Sequence, residues 1–176
     1  MIITISGNQG AGKTTVGKLL AEKLGYRFVS IGDLRGQIAT ERGLTIDELN
    51  VIGEKESWVH ERADEKTIEI GKTHDNFVIE GWLAYHFIPH SKKVFLTVDE
   101  TVGAERVFAD QRLDEDQAAS AEEMKTMLRR RREKSDEQFR RYYGVNFLDP
   151  TNYDIVIDTT RIGADEVVGK ILERLG

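Results

Sequence analysis

The chain has 176 residues, no cysteine, and 31 acidic side chains against 25 lysines and arginines, which gives a formal net charge of −6. This length suits one domain with a substantial core. The missing cysteines exclude disulfides, thiolate metal sites and thiol nucleophiles, and the acidic balance argues against non-specific nucleic-acid binding. No apolar run is long enough to span a membrane, and residues 1–3 lack the charged start of a signal peptide. We therefore expect a cytoplasmic protein that binds neither nucleic acid nor a membrane.

The first fifteen residues combine a strand, a glycine-rich loop and the start of a helix. An apolar run ends at Ser6, and an amphipathic helical pattern begins at Lys13. The loop between them fits G-x-x-x-x-G-K-[ST], the pattern of a P-loop. Its glycines let backbone N–H groups turn toward a phosphate, and the helix N-terminus favours an anion. The predicted nucleotide-binding residues are Gly7, Asn8, Gln9, Gly10, Ala11, Gly12, Lys13, Thr14 and Thr15.

Side chains in and near this loop have predicted chemical roles. Lys13 is expected to reach the β- and γ-phosphates of a nucleoside triphosphate, and the hydroxyl of Thr14 is expected to face Mg2+. Glu80 follows a later apolar run and is the best carboxylate to orient that Mg2+ through water, with Asp99 as the alternative. Thr14 and Glu80 are therefore the predicted metal residues.

Apolar strands and amphipathic helices alternate along the chain. Strands are predicted in the run ending at Ser6 and at 27–29, 77–79, 94–98 and 155–157. Helices are predicted at 13–24, from the turn at 30–33 to 41, from Thr45 with Glu48 as a capping box, and at about 54–72, 101–112, 121–143 and 164–175. This order predicts a three-layer α/β/α fold, with a parallel sheet covered by helices on both faces.

Polar residues and glycines follow the strands of this predicted sheet. They are Ser6–Gly7, Ser30–Asp33, Glu80–Gly81, Asp99 and Asp158. Ligands of such sheets bind beyond the carboxyl ends of the strands. Ordinary turns favour the same residue types, but five such positions around a P-loop favour a ligand site.

Arginines are the expected donors to a transferring phosphoryl group, because a planar guanidinium can bind two phosphate oxygens. The candidates are Arg106, Arg112 and the run 129–132. Four consecutive residues of a helix point about 100° apart, so the whole run cannot face one pocket. The acidic, alanine-rich stretch 113–120 suits a mobile lid that carries such arginines. Lys13, Arg106, Arg112 and Arg132 are therefore the candidate catalytic residues.

Motifs along nearly the whole chain resemble the nucleoside monophosphate kinases, and most of all the cytidylate kinases of the short archaeal type. Besides the P-loop, the narrowest signals are the turn Ser30-Ile31-Gly32-Asp33 and the strand Tyr153-Asp154-Ile155-Val156-Ile157-Asp158-Thr159. The resemblance implies transfer of the ATP γ-phosphate to CMP or dCMP with Mg2+. It also implies a P-loop NTPase fold with strand order 2-3-1-4-5. The implied parts are a core (1–29, 73–111 and 133–176), a helical insertion that binds the monophosphate (about 30–72) and a lid (about 112–132).

The resemblance also implies the acceptor-binding residues, which are Ser30, Asp33, Arg35, Gly81 and Trp82. Arg35 matches an arginine that follows the family's turn, but it comes one residue early, and Gly36 stands at the usual place. Where the family often has Glu-Gly-Arg-Leu, residues 80–83 read Glu-Gly-Trp-Leu. Trp82 would then stack on a base or simply pack. Either one donor to the acceptor phosphate is then missing, or Arg35 or Arg62 replaces it.

Two other functions remain open from the sequence. One is a P-loop kinase for another acceptor, either AMP, UMP or a small metabolite as in shikimate-kinase-like proteins. The other is a nucleotide-binding regulatory protein without turnover, since a fold does not fix a function. A GTPase is disfavoured because no Asn-Lys-x-Asp signature is present. We expect small-molecule nucleotide substrates, ATP and Mg2+, and a monomer.

Overall fold

A computed structural model describes residues 1–53, 55–56, 58–111 and 117–175, and within them five strands and eight α-helices alternate along the chain. The strands are β1 (Ile2–Gly7), β2 (Arg27–Ser30), β3 (Phe77–Glu80), β4 (Lys92–Thr97) and β5 (Ile155–Asp158). The helices are α1 (Lys13–Leu24), α2 (Ile31–Glu41), α3 (Ile46–Gly53), α4 (Trp58–Thr73), α5 (Ala84–Phe87), α6 (Glu100–Ala109), α7 (Ala121–Tyr143) and α8 (Ala164–Leu175). In these described residues, no helix is long and apolar enough to cross a membrane.

The strands form one parallel sheet in the order β2-β3-β1-β4-β5, which confirms the predicted topology. The central strand β1 is buried at all six positions, as expected for a strand covered on both faces. Alternate residues face opposite sides of the sheet. Ile3 and Ile5 pack in the core with α1 and α8, whereas Ile2 packs with α5 on the other face. The sheet is therefore the middle of three layers.

Most element boundaries agree with the sequence, and the differences have local causes. β4 begins at Lys92, two residues before the predicted start at residue 94. The apolar pattern did not include this start because residues 92 and 93 are lysines. α4 begins at Trp58 instead of about residue 54. The preceding helix α3 ends at Gly53, and in the turn that follows the Lys55 amide donates to the Ile52 carbonyl (3.0 Å). The short helix α5 was not predicted at all. The capping box is confirmed, with Thr45 and Glu48 donating to each other at 2.8 and 3.1 Å.

Two further groups of helices flank the carboxyl ends of the strands. α2, α3 and α4 share a small core of their own, made of Ile38, Ala39, Leu49, Val59 and Ala63. The long helix α7 packs by Met124 against α6 near its start. By Phe139 and Tyr143 it packs near its end against an aromatic cluster that includes Phe147. Both groups therefore have apolar packing of their own, apart from the clusters that cover the central strand.

The P-loop is backed by α6 at a close approach between two glycines. Gly10 has a φ of 75°, and a Cβ added to it would lie 2.3 Å from the carbonyl oxygen of Gly103. A Cβ on Gly103 would in turn lie 2.9 Å from the carbonyl oxygen of Gln9. Neither position has room for a side chain, because the neighbouring atoms belong to the backbone. The shape of the P-loop therefore depends on a glycine in α6.

We expect Gly103→Ala to destabilise the protein by about 1–3 kcal/mol, the usual cost of overpacking a tight contact, and to weaken ATP binding because the P-loop is displaced. Urea unfolding and ATP titration measure the two effects. Gly169→Ala in α8 is the matched control, since nothing lies within 4 Å of the added Cβ, and alanine there should be neutral or stabilising. Equal stability and ATP affinity in Gly103→Ala and the native protein would contradict this packing account.

Candidate active site

The P-loop runs from the end of β1 to the start of α1 in a conformation that needs glycine. Gly7, Gly10 and Gly12 have φ values of 147°, 75° and 81°, which side chains rarely adopt. The Asn8 amide donates to the Leu96 carbonyl (3.0 Å), so the loop is anchored on β4. Its last residue precedes the N-terminus of α1, where backbone N–H groups attract an anion. This geometry agrees with the predicted phosphate cradle.

Lys13 folds back over this loop. Its Nζ donates to the carbonyl oxygen of Asn8 at 2.8 Å. Burial of the amine lowers the pKa of Lys13 to about 8; the charge of Glu80 opposes this shift and that of Arg131 adds to it. A phosphate oxygen would supply the negative charge that favours the protonated amine.

Glu80 connects the ends of three neighbouring strands. It closes β3, it is only 7% exposed, and its Oε1 accepts from the Ser30 hydroxyl at 2.6 Å and from the Thr14 hydroxyl at 3.4 Å. A carboxylate beside a hydroxyl, next to a phosphate cradle, is an oxygen-ligand set that suits Mg2+. The alternative, Asp99, instead caps α6 by accepting from the amides of Thr101 and Val102 (2.9 and 3.1 Å). The structure therefore favours Glu80 for the metal.

A second cleft, of about 690 Å³, opens between the helical group α2–α4 and α7. Its walls include Asp33, Arg35, Asn50 and Arg131. Arg35 donates to Asn50 Oδ1 at 2.8 Å, and its pKa is lowered by burial and by the charge of Arg131. Ser30, the residue before α2, caps this helix by accepting from the Asp33 amide at 3.2 Å. The predicted acceptor residues of the turn therefore lie together beside a cleft large enough for a nucleotide.

The arginines of the run 129–132 face different parts of the molecule. Arg129 and Arg132 donate to Glu100 at 2.7 and 2.5 Å and hold the pKa of that carboxyl at about 2. Their pairing lies beside Asn8 of the P-loop. Arg131 lines the acceptor cleft instead, and its charge reaches both Lys13 and Arg35. Sequence reasoning named the whole run as candidates and selected Arg132 from it, because helical spacing shows that the run diverges but not which residue faces the cleft. A catalytic role for Arg132 remains a prediction.

Arg106 holds two loops together. Its guanidinium donates to the carbonyl oxygens of Thr159 (3.0 Å), Thr160 (3.4 Å) and Gly10 (3.3 Å). These contacts tie the P-loop to the segment after β5. A catalytic role for Arg106 remains a prediction. Arg112, the other candidate of this region, lies outside the described residues.

Trp82 lies beneath the start of the P-loop. Its Nε1 donates to the Gly7 carbonyl at 3.1 Å, and its ring stacks on Phe147 with centroids 5.2 Å apart. Of the two alternatives from the sequence, packing is the one that these contacts describe, and contact with a base remains a prediction. Neighbouring Gly81 donates its amide to the Ile5 carbonyl at 3.0 Å. Arg62, proposed as a substitute donor, is exposed on α4.

The lowered pKa of Lys13 predicts how ATP affinity depends on pH. Bound phosphates favour the protonated amine, which the free protein holds only below about pH 8. Above that pH, binding must take up a proton, so the Kd for ATP should rise by up to about tenfold per pH unit. Calorimetric titration with ATP from about pH 7 to about pH 9.5 measures this.

Lys13→Met should bind ATP weakly and without this pH dependence. It should keep its thermal stability near neutral pH, because burial already penalises the charged amine there. Lys18→Met, at an exposed position of α1, is the control and should keep the native pH dependence. A native Kd that stays flat to about pH 9.5 would show that Lys13 does not bind the phosphates.

Solved structures show where this fold occurs. An uncharacterized protein from Eubacterium ventriosum superposes with a TM-score of 0.73 at 19% identity, covering 98% of this chain and 96% of that one. The shikimate kinase of Bacteroides thetaiotaomicron superposes with a TM-score of 0.67 at 20% identity, covering 99% and 98%. At such identities the likeness concerns the fold alone, and it agrees with the predicted P-loop kinase architecture.

Relatives found by sequence match this chain along nearly its whole length. Cytidylate kinase from Natronomonas pharaonis is 36% identical over 95% of this chain and 85% of its own length, and cytidylate kinase from Methanothermobacter thermautotrophicus is 33% identical over 94% and 99%. An S-adenosylmethionine-dependent nucleotide dehydratase from Lacinutrix mariniflava is 36% identical over 97% of this chain, which spans only 35% of that protein. Residues 2–161 match the cytidylate kinase-like family. The chain therefore belongs to the cytidylate kinase-like family, as its motifs predicted.

Proposed function

We propose that the protein transfers the γ-phosphate of ATP to CMP or dCMP, giving ADP and CDP or dCDP. The observation that carries this proposal is the position of Arg131. It lines the acceptor cleft, yet its charge also reaches Lys13 of the P-loop. The triphosphate cradle and the acceptor cleft therefore share one cationic boundary, where a phosphoryl group would pass.

On the donor side, the P-loop and Lys13 would hold the triphosphate, and Thr14 and Glu80 would hold Mg2+. When bound, Mg2+ neutralises charge on the phosphate oxygens. The protein orients the carboxylate for this task, because the Ser30 and Thr14 hydroxyls both donate to Glu80 Oε1. Arg106, Arg112 and Arg132 remain proposed donors to the phosphates.

On the acceptor side, Ser30, Asp33, Arg35, Gly81 and Trp82 would bind the monophosphate. We place the binding insertion at about 30–72, which agrees with the separate small core shared by α2, α3 and α4. We place the lid at about 112–132, of which residues 121–132 form the first half of α7. The core would comprise 1–29, 73–111 and 133–176.

The names of the relatives support CMP as the acceptor. Those from Natronomonas pharaonis and Methanothermobacter thermautotrophicus are cytidylate kinases, and this chain spans 85% and 99% of their lengths. The nucleotide dehydratase matches over about a third of its length, so it supports a nucleotide substrate and nothing more of its own reaction. We further propose that the protein works in the cytoplasm as a monomer, on free nucleotides.

A panel of nucleoside monophosphates tests the proposal directly. With ATP and Mg2+, we expect CMP or dCMP to give the highest kcat/KM for ADP formation, and omission of Mg2+ to abolish turnover. If the protein binds ATP but forms no ADP that depends on CMP or dCMP, the proposed reaction is wrong. Turnover with AMP, UMP or shikimate alone would instead identify a kinase for another acceptor.

A further inference from the structure

A carboxylate at the start of α6 binds two arginines of α7 directly. Arg129 Nη2 donates to Glu100 Oε2 at 2.7 Å, and Arg132 Nη2 donates to Glu100 Oε1 at 2.5 Å. Each carboxylate oxygen therefore holds one guanidinium. The two hydrogen bonds keep the pKa of Glu100 at about 2, so the carboxylate is charged at neutral pH. We call these three residues the Glu100 latch.

The Glu100 latch lies in a small cationic cleft beside the P-loop. The cleft is also lined by Asn8 and Gln9 of the P-loop and by Lys125 of α7, whose Nζ donates to the neutral hydroxyl of Thr101 at 2.9 Å. Three cationic side chains therefore share one carboxylate, which leaves an excess of two positive charges. An anion with more charge than a carboxylate, such as a chain of phosphates, would complement this cleft better than Glu100 does.

The cleft has no room for such an anion while the latch is closed. Its volume is about 20 Å³, which is enough for about one water molecule. Within the described part of the chain, the buried Nε2 of Gln9 has no hydrogen-bond acceptor. A buried amide without an acceptor is unfavourable, and a phosphate oxygen would supply one. The donors of the cleft therefore suit a phosphate that can enter only when the latch opens.

The latch is not needed to hold α6 and α7 together, because an apolar contact already does so. Ala104 of α6 and Met124 of α7 lie in one buried cluster. The latch side chains are far more open to solvent, with Glu100 38%, Arg129 50% and Arg132 22% exposed. Ion pairs as exposed as these contribute little to stability. A chain of phosphates can therefore replace Glu100 at small cost.

We propose that Glu100 occupies Arg129 and Arg132 in the free protein and releases them to the phosphates of ATP. This inference rests on the proposed function, since it concerns how the donor site takes up its triphosphate. Glu100 then competes with the substrate for the same two guanidinium groups. Arg129 joins Arg132 as a donor to the phosphates, a part that no sequence motif assigns to it.

The sign of one change in affinity tests the latch. Glutamine keeps the shape of Glu100 and removes its charge, so Glu100→Gln should lower the Kd for ATP about three- to tenfold, as two exposed ion pairs allow. The Kd for inorganic triphosphate, which lacks the base and the sugar, should fall by the same factor. The melting temperature should change by less than about 5 °C. Calorimetric titration measures both Kd values. Glu105→Gln, exposed on the same helix, is the matched control and should bind both ligands like the native protein.

Removal of both arginines shows whether Glu100 acts through them. In the Arg129→Met/Arg132→Met background, Glu100→Gln should change the Kd for ATP by less than about twofold. A gain of affinity that persists in this background would mean that Glu100 repels the phosphates directly, and would overturn the latch. A higher Kd for ATP in Glu100→Gln alone would overturn it in favour of a positioning role for the carboxylate. An unchanged Kd would overturn it in favour of a purely structural contact.

The native protein separates failure of the latch from failure of the proposed function. Native protein that binds neither ATP nor triphosphate overturns both proposals. Native protein that binds ATP and phosphorylates CMP, with Glu100→Gln behaving like Glu105→Gln, overturns only the latch. Native protein that binds ATP and phosphorylates no nucleoside monophosphate, with tighter binding of ATP in Glu100→Gln, overturns only the proposed reaction.

Discussion

The burial of cationic side chains around one boundary is the constraint on which the site depends. Lys13, Arg35 and Arg131 come from the P-loop, the helical group α2–α4 and α7, and the pKa values of Lys13 and Arg35 are both lowered by burial and by the charge of Arg131. Placing like charges together in a partly buried position is unfavourable unless an anion joins them. The carboxylates of Glu80 and Asp64 offset part of this cost in the free protein. A bound phosphate would offset more of it.

The rest of the fold brings these groups together and limits their motion. β1 delivers the P-loop, and the contact between Gly10 and Gly103 fixes the loop against α6. β3 delivers Glu80 between Thr14 and Ser30, which join the donor side to the start of α2. The parallel order of the sheet matters because it places the carboxyl ends of all these strands at one edge.

The sequence predicted what depends on local pattern and missed what depends on distant pairing. The P-loop, the parallel sheet and the Glu80 position follow from local patterns, whereas the order of the strands came from the resemblance to a known family. Arg131 could not be distinguished from Arg132, since both lie in an unbroken arginine run and only packing of α7 decides which faces the cleft. Asp64 and Tyr143 belong to no motif and meet across 79 positions. The contacts of Trp82 could not be predicted from a motif, because its partners, the Phe147 ring and the Gly7 carbonyl, are distant in sequence.

The affinity of one bisubstrate ligand tests most directly whether the two clefts form a single site. Cytidine and adenosine joined 5′ to 5′ through five phosphates would occupy the P-loop, the cationic boundary and the acceptor cleft together. Because the second contact becomes intramolecular, its Kd should lie at least about a hundredfold below that of ATP. A Kd within about threefold of that of ATP would mean that the clefts do not share a path for phosphate, and would contradict the account.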